Sequence, residues 1–257
     1  MIDLAGGADS SVYISAVRAA RALHTVIASS SIVLHIVFAA GCAIFHLASA
    51  RVVLCRSTAG GGYFLPKGRR DAGEELGVTA VREGFEESGY RCRLLPLPVP
   101  HRQPVPSTDL RAWHAEPLWT QLVPVVRTVQ YVCCWYVAEA LPESVEREAN
   151  VTALGREGTE EELRRTTGFI SVPVAEDVTI QQRKDMDGRP DGSVYQPVRH
   201  EGTGVDEEEA TYQSFLVDVP EARRLLRGSI MEDVVHRAWD AICLREKLEQ
   251  EHEAGVG

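Results

Sequence analysis

Residues Gly68 to Tyr90 read GRRDAGEELGVTAVREGFEESGY, a glycine-bearing loop that runs directly into a carboxylate-rich segment. The apolar spacing predicts a helix over 75–89. On such a helix Glu83, Glu86 and Glu87 fall within about 100° of one another, while Val78, Val81 and Phe85 gather on the opposite side. One side faces a core and the other collects charge. Carboxylates at i, i+3 and i+4 repel unless a proton or a cation intervenes, and hard divalent ions take oxygen ligands of this kind. The spacing suggests a Mg²⁺ or Mn²⁺ site beside a loop suited to phosphate.

The same residues resemble the Nudix hydrolase signature, G-x5-E-x7-R-E-U-x-E-E-x-G-U with U apolar. Gly68, Glu74, Arg82, Glu83, Glu86, Glu87, Gly89 and Tyr90 stand at its fixed positions. Only Gly84 departs, at a position where a bulkier aliphatic residue is usual. Glycine inside a helix costs roughly 1 kcal/mol relative to alanine. A bare ExxEE would read as a solvated helix face; eight matched positions in one window do not.

The resemblance implies an α/β fold, an α/β/α sandwich around a central mixed sheet that carries the motif loop and helix. It also implies hydrolysis of a pyrophosphate bond, in a nucleoside diphosphate linked to another group or in a related compound. By residue match, Glu83, Glu86 and Glu87 would hold the metal together with the backbone carbonyl of Lys67. Arg82 would orient the carboxylates, and Glu74 would brace the loop, with Gly68 and Gly89 at its two ends. The general base is left between Glu83 and a glutamate from a later loop. The run LPKGRRD resembles Nudix proteins acting on dinucleoside polyphosphates or diphosphoinositol polyphosphates, with Lys67, Arg69 and Arg70 as phosphate contacts. Tyr63, Trp113 and Trp119 are the alternative, as stacking partners for a nucleobase. A non-catalytic module that binds a nucleotide diphosphate is the contrasting class. Such modules usually lose motif glutamates; here all are retained, so hydrolysis is favoured.

Across its 257 residues the chain is 44% apolar and carries a formal net charge of −10. This balance argues against nonspecific nucleic-acid or anionic-membrane binding, and a polyanionic substrate needs local cations to offset it. Lys67, Arg69 and Arg70 before the helix, and Arg91 and Arg93 after it, are the candidates. Six cysteines without CxxC spacing read as reduced thiols of a cytoplasmic or nuclear protein. The run SIVLHIVFAAGCAIF at 31–45 is shorter than the ~20 residues of a membrane span. His101, His114, His200 and His236 sit in no patterned motif and read as surface or packed residues. The expected partner is a small phosphorylated substrate.

A single Nudix domain is expected, with its core at about 11–16, 41–138 and 211–248. SVYISA at 11–16 alternates like a strand, and GCAIFHLASARVVLCRS reads as two strands joined at LASA. Residues 17–40 interrupt them, either as an extra helix and strand or as a translated intron, since Val17 and Arg18 permit a GT-starting splice donor. Tyr63 to Leu65 reads as a short strand ended by Pro66, and RCRLLPL as another. Residues 96–124 read as a long loop and 125–138 as the strongest later strand. Residues 139–210, acidic and weakly patterned, are expected to form a mobile insertion. A strand at TYQSFLVDVP and two closing helices follow, the second with an apolar stripe of Val234, Val235, Ala238, Ala241, Ile242 and Leu244.

Overall fold

Strand β1 (His35–His46) is the spine of the molecule, because both of its edges and both of its faces are used. The computed structural model describes residues 35–106, 109, 113–126 and 129–255. Ala39, Ala43 and Phe45 point to one face of β1, and Ala40, Cys42 and Ile44 to the other, and all six are fully buried. A strand buried on both faces belongs in the centre of a covered sheet. Along one edge β1 pairs in parallel with β6 (Val129–Ala140), in register from His35↔Val129 to Phe45↔Glu139. Along the other edge its first half pairs antiparallel with β3 (Lys67–Arg69) and its second half with β2 (Arg51–Ser57). β4 (Cys92–Leu94) and β5 (Trp119–Val126) both join β6 antiparallel, and β7 (Tyr212–Asp218) joins β2. The result is a mixed sheet of seven strands among the described residues, with β4-β6-β1-β2-β7 as its main path.

Helix α1 (Leu76–Ser88) covers one face and α6 (Ile230–Gly255) the other, which makes the α/β/α sandwich. Under α6, Val234, Val235, Ala238 and Ile242 meet Phe45, Leu54 and Trp135. Leu244, placed on that stripe by spacing, is instead exposed. Under α1, the departure at Gly84 has a steric reason. A Cβ there would stand 2.9 Å from Cys42 Sγ and 3.3 Å from Cys92 Sγ, so two sulfurs fill the room that a larger residue would take. None of the six cysteines forms a disulfide. Cys133 and Cys134 point to opposite faces, as adjacent strand residues must.

The expected strand at 11–16 and most of the expected insertion, 17–34, lie outside the described residues. The insertion's boundary at 40 needs correction: 35–40 are the first half of β1. Their register also sharpens what deletion of 17–40 should do. Counted back from Gly41, SVYISA would replace HIVFAA, with Ser15 and Ala16 at the positions of the fully buried Ala39 and Ala40. Small residues fall where small residues are needed, and the two-residue period is kept. The shortened chain is expected to melt within a few degrees of the full one. Insolubility, or a markedly lower melting temperature, would show that HIVFAA has no substitute.

Three other expectations change. Of Tyr63 to Leu65 only Phe64 forms a bridge, with Cys55. The loop expected to run to 124 ends earlier, because Trp119 already pairs with Trp135. Residues 139–210, expected as a mobile insertion, carry α2 (Glu143–Leu154), α3 (Glu160–Arg164) and α4 (Ile180–Met186). Thr159 with Glu162, and Thr179 with Gln182, form capping boxes that satisfy the first amides of α3 and α4. The segment is pinned by buried polar contacts rather than by apolar periodicity, so its composition resembled a solvated linker. Arg183 reaches Glu139, Arg245 donates to Val178 O at 2.8 Å, and Tyr195 donates to Glu146 at 2.8 Å. Among the described residues no helix is long and apolar enough to cross a membrane.

Candidate metal and phosphate site

The motif loop and helix are knitted together by Arg82. Its Nε donates to Glu74 Oε1 at 2.9 Å and its Nη2 to Glu74 Oε2 at 3.0 Å, a bidentate pair. Nη1 reaches Glu83 at 2.9 Å and Glu86 at 2.7 Å, and Nη2 also reaches Arg69 O at 3.0 Å. The hydrogen bonds to Glu74, against the opposing effect of burial, hold this guanidinium's pKa well above its ordinary value. Glu74 further accepts from Thr79 Oγ1 at 2.8 Å and from Asp71 N at 3.2 Å, so one carboxylate joins loop, helix start and arginine.

Glu83 and Glu87 lie on the side of α1 that meets β3. Glu87 Oε2 accepts from Lys67 N at 2.7 Å. Glu83 sits against Gly68, where a Cβ would come within 2.0 Å of Oε2, so only glycine leaves the carboxylate its place. At the other end of the helix Gly89 turns the chain with φ 75° and donates to Phe85 O at 2.7 Å. Its own carbonyl accepts from His200 N at 2.8 Å.

The third carboxylate comes from elsewhere. Oxygens of Glu83, Glu87 and Glu209 all lie within 4.8 Å of one another. Glu209 stands in a 3-10 turn, Glu209–Thr211, just before β7. Its amide donates to Asp206 Oδ1 at 2.9 Å and its Oε2 accepts from Val205 N at 2.8 Å. Thr203 Oγ1 donates to Glu86 O at 2.8 Å, which anchors this turn's loop to α1. Glu86 itself points to Arg82 and is not part of the cluster. Burial raises the pKa of Glu83 to about 7 and of Glu87 to about 8, and the neighbouring carboxylates add to both shifts. Three acids this close, two of them buried, require protons or a cation, and an all-oxygen set suits Mg²⁺ or Mn²⁺.

Arg69 is exposed, and Arg70 lies over the ring of Phe38 while donating to Glu74 O at 3.3 Å. Lys67 is half-buried beside the carboxylates. Arg91 and Arg93, expected as local cations, are buried structural groups instead. Arg91 bonds Asn150 and Gly168 O, and Arg93 bonds Glu139 at 2.6 Å. Tyr63 and Trp119 pack against the α6-side core, and Trp113 is half-buried in the loop before β5, so none of the three stands at the cluster. None of the described histidines joins it either: His200 packs on Phe85 and faces Glu146, and His101 and His114 pair with each other. Two clefts of about 480 Å³ each, one beside Glu146 and Arg189 and one beside Leu118 and Arg237, lie away from the carboxylates. The convergence of acids is what marks this site.

Residues 37–154 match the NUDIX domain family. That stretch contains the motif loop and helix, so the chain carries a sequence similar to a NUDIX domain there. A comparison with curated proteins returns no match. Among solved structures, a hydrolase of the NUDIX family from Clostridium perfringens superposes with a TM-score of 0.40 at 12% identity, over 80% of this chain and 96% of that one. An Ap4A hydrolase from C. elegans gives 0.37 at 12% identity, over 79% and 95%. A NUDIX hydrolase from Nitrosomonas europaea gives 0.36 at 10%, over 81% and 90%.

Proposed function

We propose that this protein is a Mg²⁺-dependent hydrolase that cleaves a pyrophosphate bond in a nucleoside diphosphate-linked or polyphosphate substrate. The observation that carries the reading is the meeting of Glu83, Glu87 and Glu209, from two distant parts of the chain, beside the Lys67–Arg70 loop. These three carboxylates would hold the metal, and the Lys67 carbonyl and Glu86, whose carboxylate is bonded to Arg82, would be the further oxygen donors of the motif. A bound divalent ion would neutralise charge on the phosphoryl oxygens and acidify the attacking water. Water's oxygen bonds to one phosphorus, the bridging P–O bond breaks, and its electron pair leaves with the other phosphate. Glu83 or Glu209 accepts the water's proton. Arg82 keeps Glu83, Glu86 and Glu74 in place, and Lys67, Arg69 and Arg70 bind the phosphates.

The test is release of phosphate and nucleotide products, followed by mass spectrometry, on a panel of dinucleoside polyphosphates, diphosphoinositol polyphosphates and nucleoside diphosphate conjugates with Mg²⁺. Turnover of at least one, abolished by EDTA, is the expected result. Tight binding without turnover across the panel would return the non-catalytic class.

A pH prediction follows from the same acids. Between the ordinary carboxylate value and about 8 the folded protein keeps protons on Glu83 and Glu87 that the unfolded chain has released. Stability of the metal-free protein from these groups therefore falls as pH rises through that window. Mg²⁺ must displace those protons, so its stabilising effect grows over the same range. Melting temperatures at pH 6 and pH 8, with EDTA or with Mg²⁺, should show a larger Mg²⁺ increment at pH 8. Equal increments would detach metal binding from these carboxylates.

A further inference from the structure

Helix α2 turns Glu143, Glu146, Arg147 and Asn150 toward a cleft of about 480 Å³, the one beside Arg189. These positions are i, i+3, i+4 and i+7, so the side of the helix that meets the cleft is polar throughout. Glu146 and Asn150 are buried on it. α3 and the run 194–199 supply the other walls. Four arginines and three glutamates line the cleft, although the whole chain carries a formal charge of −10. Floor and rim differ. At the floor, protein donors already occupy Glu146, with Tyr195 Oη at 2.8 Å and Val198 N at 3.5 Å. Asn150, only 4% exposed, is held on one side alone. Arg91 Nε can only donate, so the Asn150 side-chain oxygen must face it, and the amide NH₂ is left to the cleft with no partner among the described residues. A buried NH₂ in that state is costly, and a ligand oxygen would satisfy it. At the rim, Arg164 is exposed and makes no hydrogen bond or ion pair among the described residues. Arg147 pairs with Glu160, and Arg189 with Glu143 at 3.0 Å, but both carboxylates are more than half exposed. Exposed pairs of this kind are weak and open readily. Three guanidinium groups thus stand ready for an incoming oxyanion.

We propose that this cleft is a second ligand site, separate from the carboxylate cluster, for a sugar-sized hydroxylated molecule that bears a phosphate or a carboxylate. None of the cluster's three glutamates lines it. The oxyanion sits at the rim on Arg147, Arg164 and Arg189, whose planar N–H forks match phosphate and carboxylate alike. It does not reach the floor, because the buried charge of Glu146 would repel it there. A neutral hydroxyl oxygen takes that place and accepts from Asn150. The polar floor disfavours an apolar occupant, and a cleft of this volume holds a ligand of sugar size.

The probes are glucose 6-phosphate, gluconate and glucose, which carry a phosphate, a carboxylate and neither. Each is titrated calorimetrically in EDTA into the full chain and into Arg164→Gln, Asn150→Asp and Glu87→Gln. At least one anionic probe is expected to bind the full chain tenfold or more tightly than glucose, and which of them does so separates phosphate from carboxylate. Asn150→Asp keeps the oxygen that Arg91 needs but puts a second oxygen in place of the NH₂, so it should weaken binding at least tenfold. Arg164→Gln should weaken it at least threefold, with a melting temperature within a few degrees of the full chain's. Glu87→Gln should bind as the full chain does. The proposal is overturned if neither anionic probe outbinds glucose, or if both cleft variants bind as tightly as the full chain. Loss of binding in Glu87→Gln would also overturn it, by placing the probe at the carboxylate cluster.

Discussion

Glu87→Gln is expected to lower kcat at least a hundredfold and, at the same time, to raise the melting temperature of the metal-free protein at pH 8. The two effects have one origin. Glu87 is buried against the sheet, and burial holds its pKa at about 8, so at that pH part of the population carries a charge in a poorly solvated site. The amide keeps the shape and still accepts from Lys67 N, but it carries no charge to repel Glu83 and Glu209 or to attract a cation. Steady-state kinetics with Mg²⁺ as the only metal, and thermal melts in EDTA, supply both readings. Near-normal turnover would remove Glu87 from the site. Lower apo stability would mean that its charge already has a partner in the protein. Glu86→Gln should also lower kcat a hundredfold, but with a smaller apo gain, because Arg82 at 2.7 Å partly offsets the burial that raises its pKa.

The largest loss of stability is expected at Glu139, far from the carboxylate cluster. Its Oε1 accepts from Arg93 at 2.6 Å and also from Arg183, and all three residues are buried. Glu139→Ala leaves two guanidinium groups with no counter-charge at that point. Breaking a buried pair in this way costs about 3–5 kcal/mol. Arg183 also donates to Val178 O at 3.0 Å, so the damage should spread to the 175–187 segment. Denaturant melts measure the cost, and limited proteolysis should show new cleavage in that segment. A change below about 1 kcal/mol, the value of an ordinary surface pair, would mean the triad is solvated in solution.

Much of the local structure was legible because it depends on near neighbours. The helix expected over 75–89 spans Leu76–Ser88, with Gly89 in the left-handed conformation that ends it. The alternation in GCAIFHLASARVVLCRS appears as β1, a tight turn and β2. The capping boxes at Thr159 and Thr179 were also legible in principle, as T-E-E-E and T-I-Q-Q. They announce helices in a stretch whose acidic composition suggested none.

Other features depend on contacts between residues far apart in the chain, and spacing carries no record of these. Arg91 and Arg93 follow the motif helix in sequence, yet both turn inward, because Asn150 and Glu139 supply partners that make burial of a guanidinium tolerable. Glu209 lies in an acidic run, GVDEEEA, in which several carboxylates look alike. Its selection comes from the backbone amide of Val205, Asp206 at the turn and the anchor from Thr203 to the motif helix. It also falls outside residues 37–154, where the family match ends.

By itself the sequence determined the motif helix, the acids on one of its sides and the class of chemistry they suit, because a helical repeat is a property of neighbouring residues. Only the tertiary structure decided which glutamate from the distant segment completes the cluster and which arginines are withdrawn from it. Those outcomes follow from burial and hydrogen bonding between segments, energies that exist only once the chain has closed on itself.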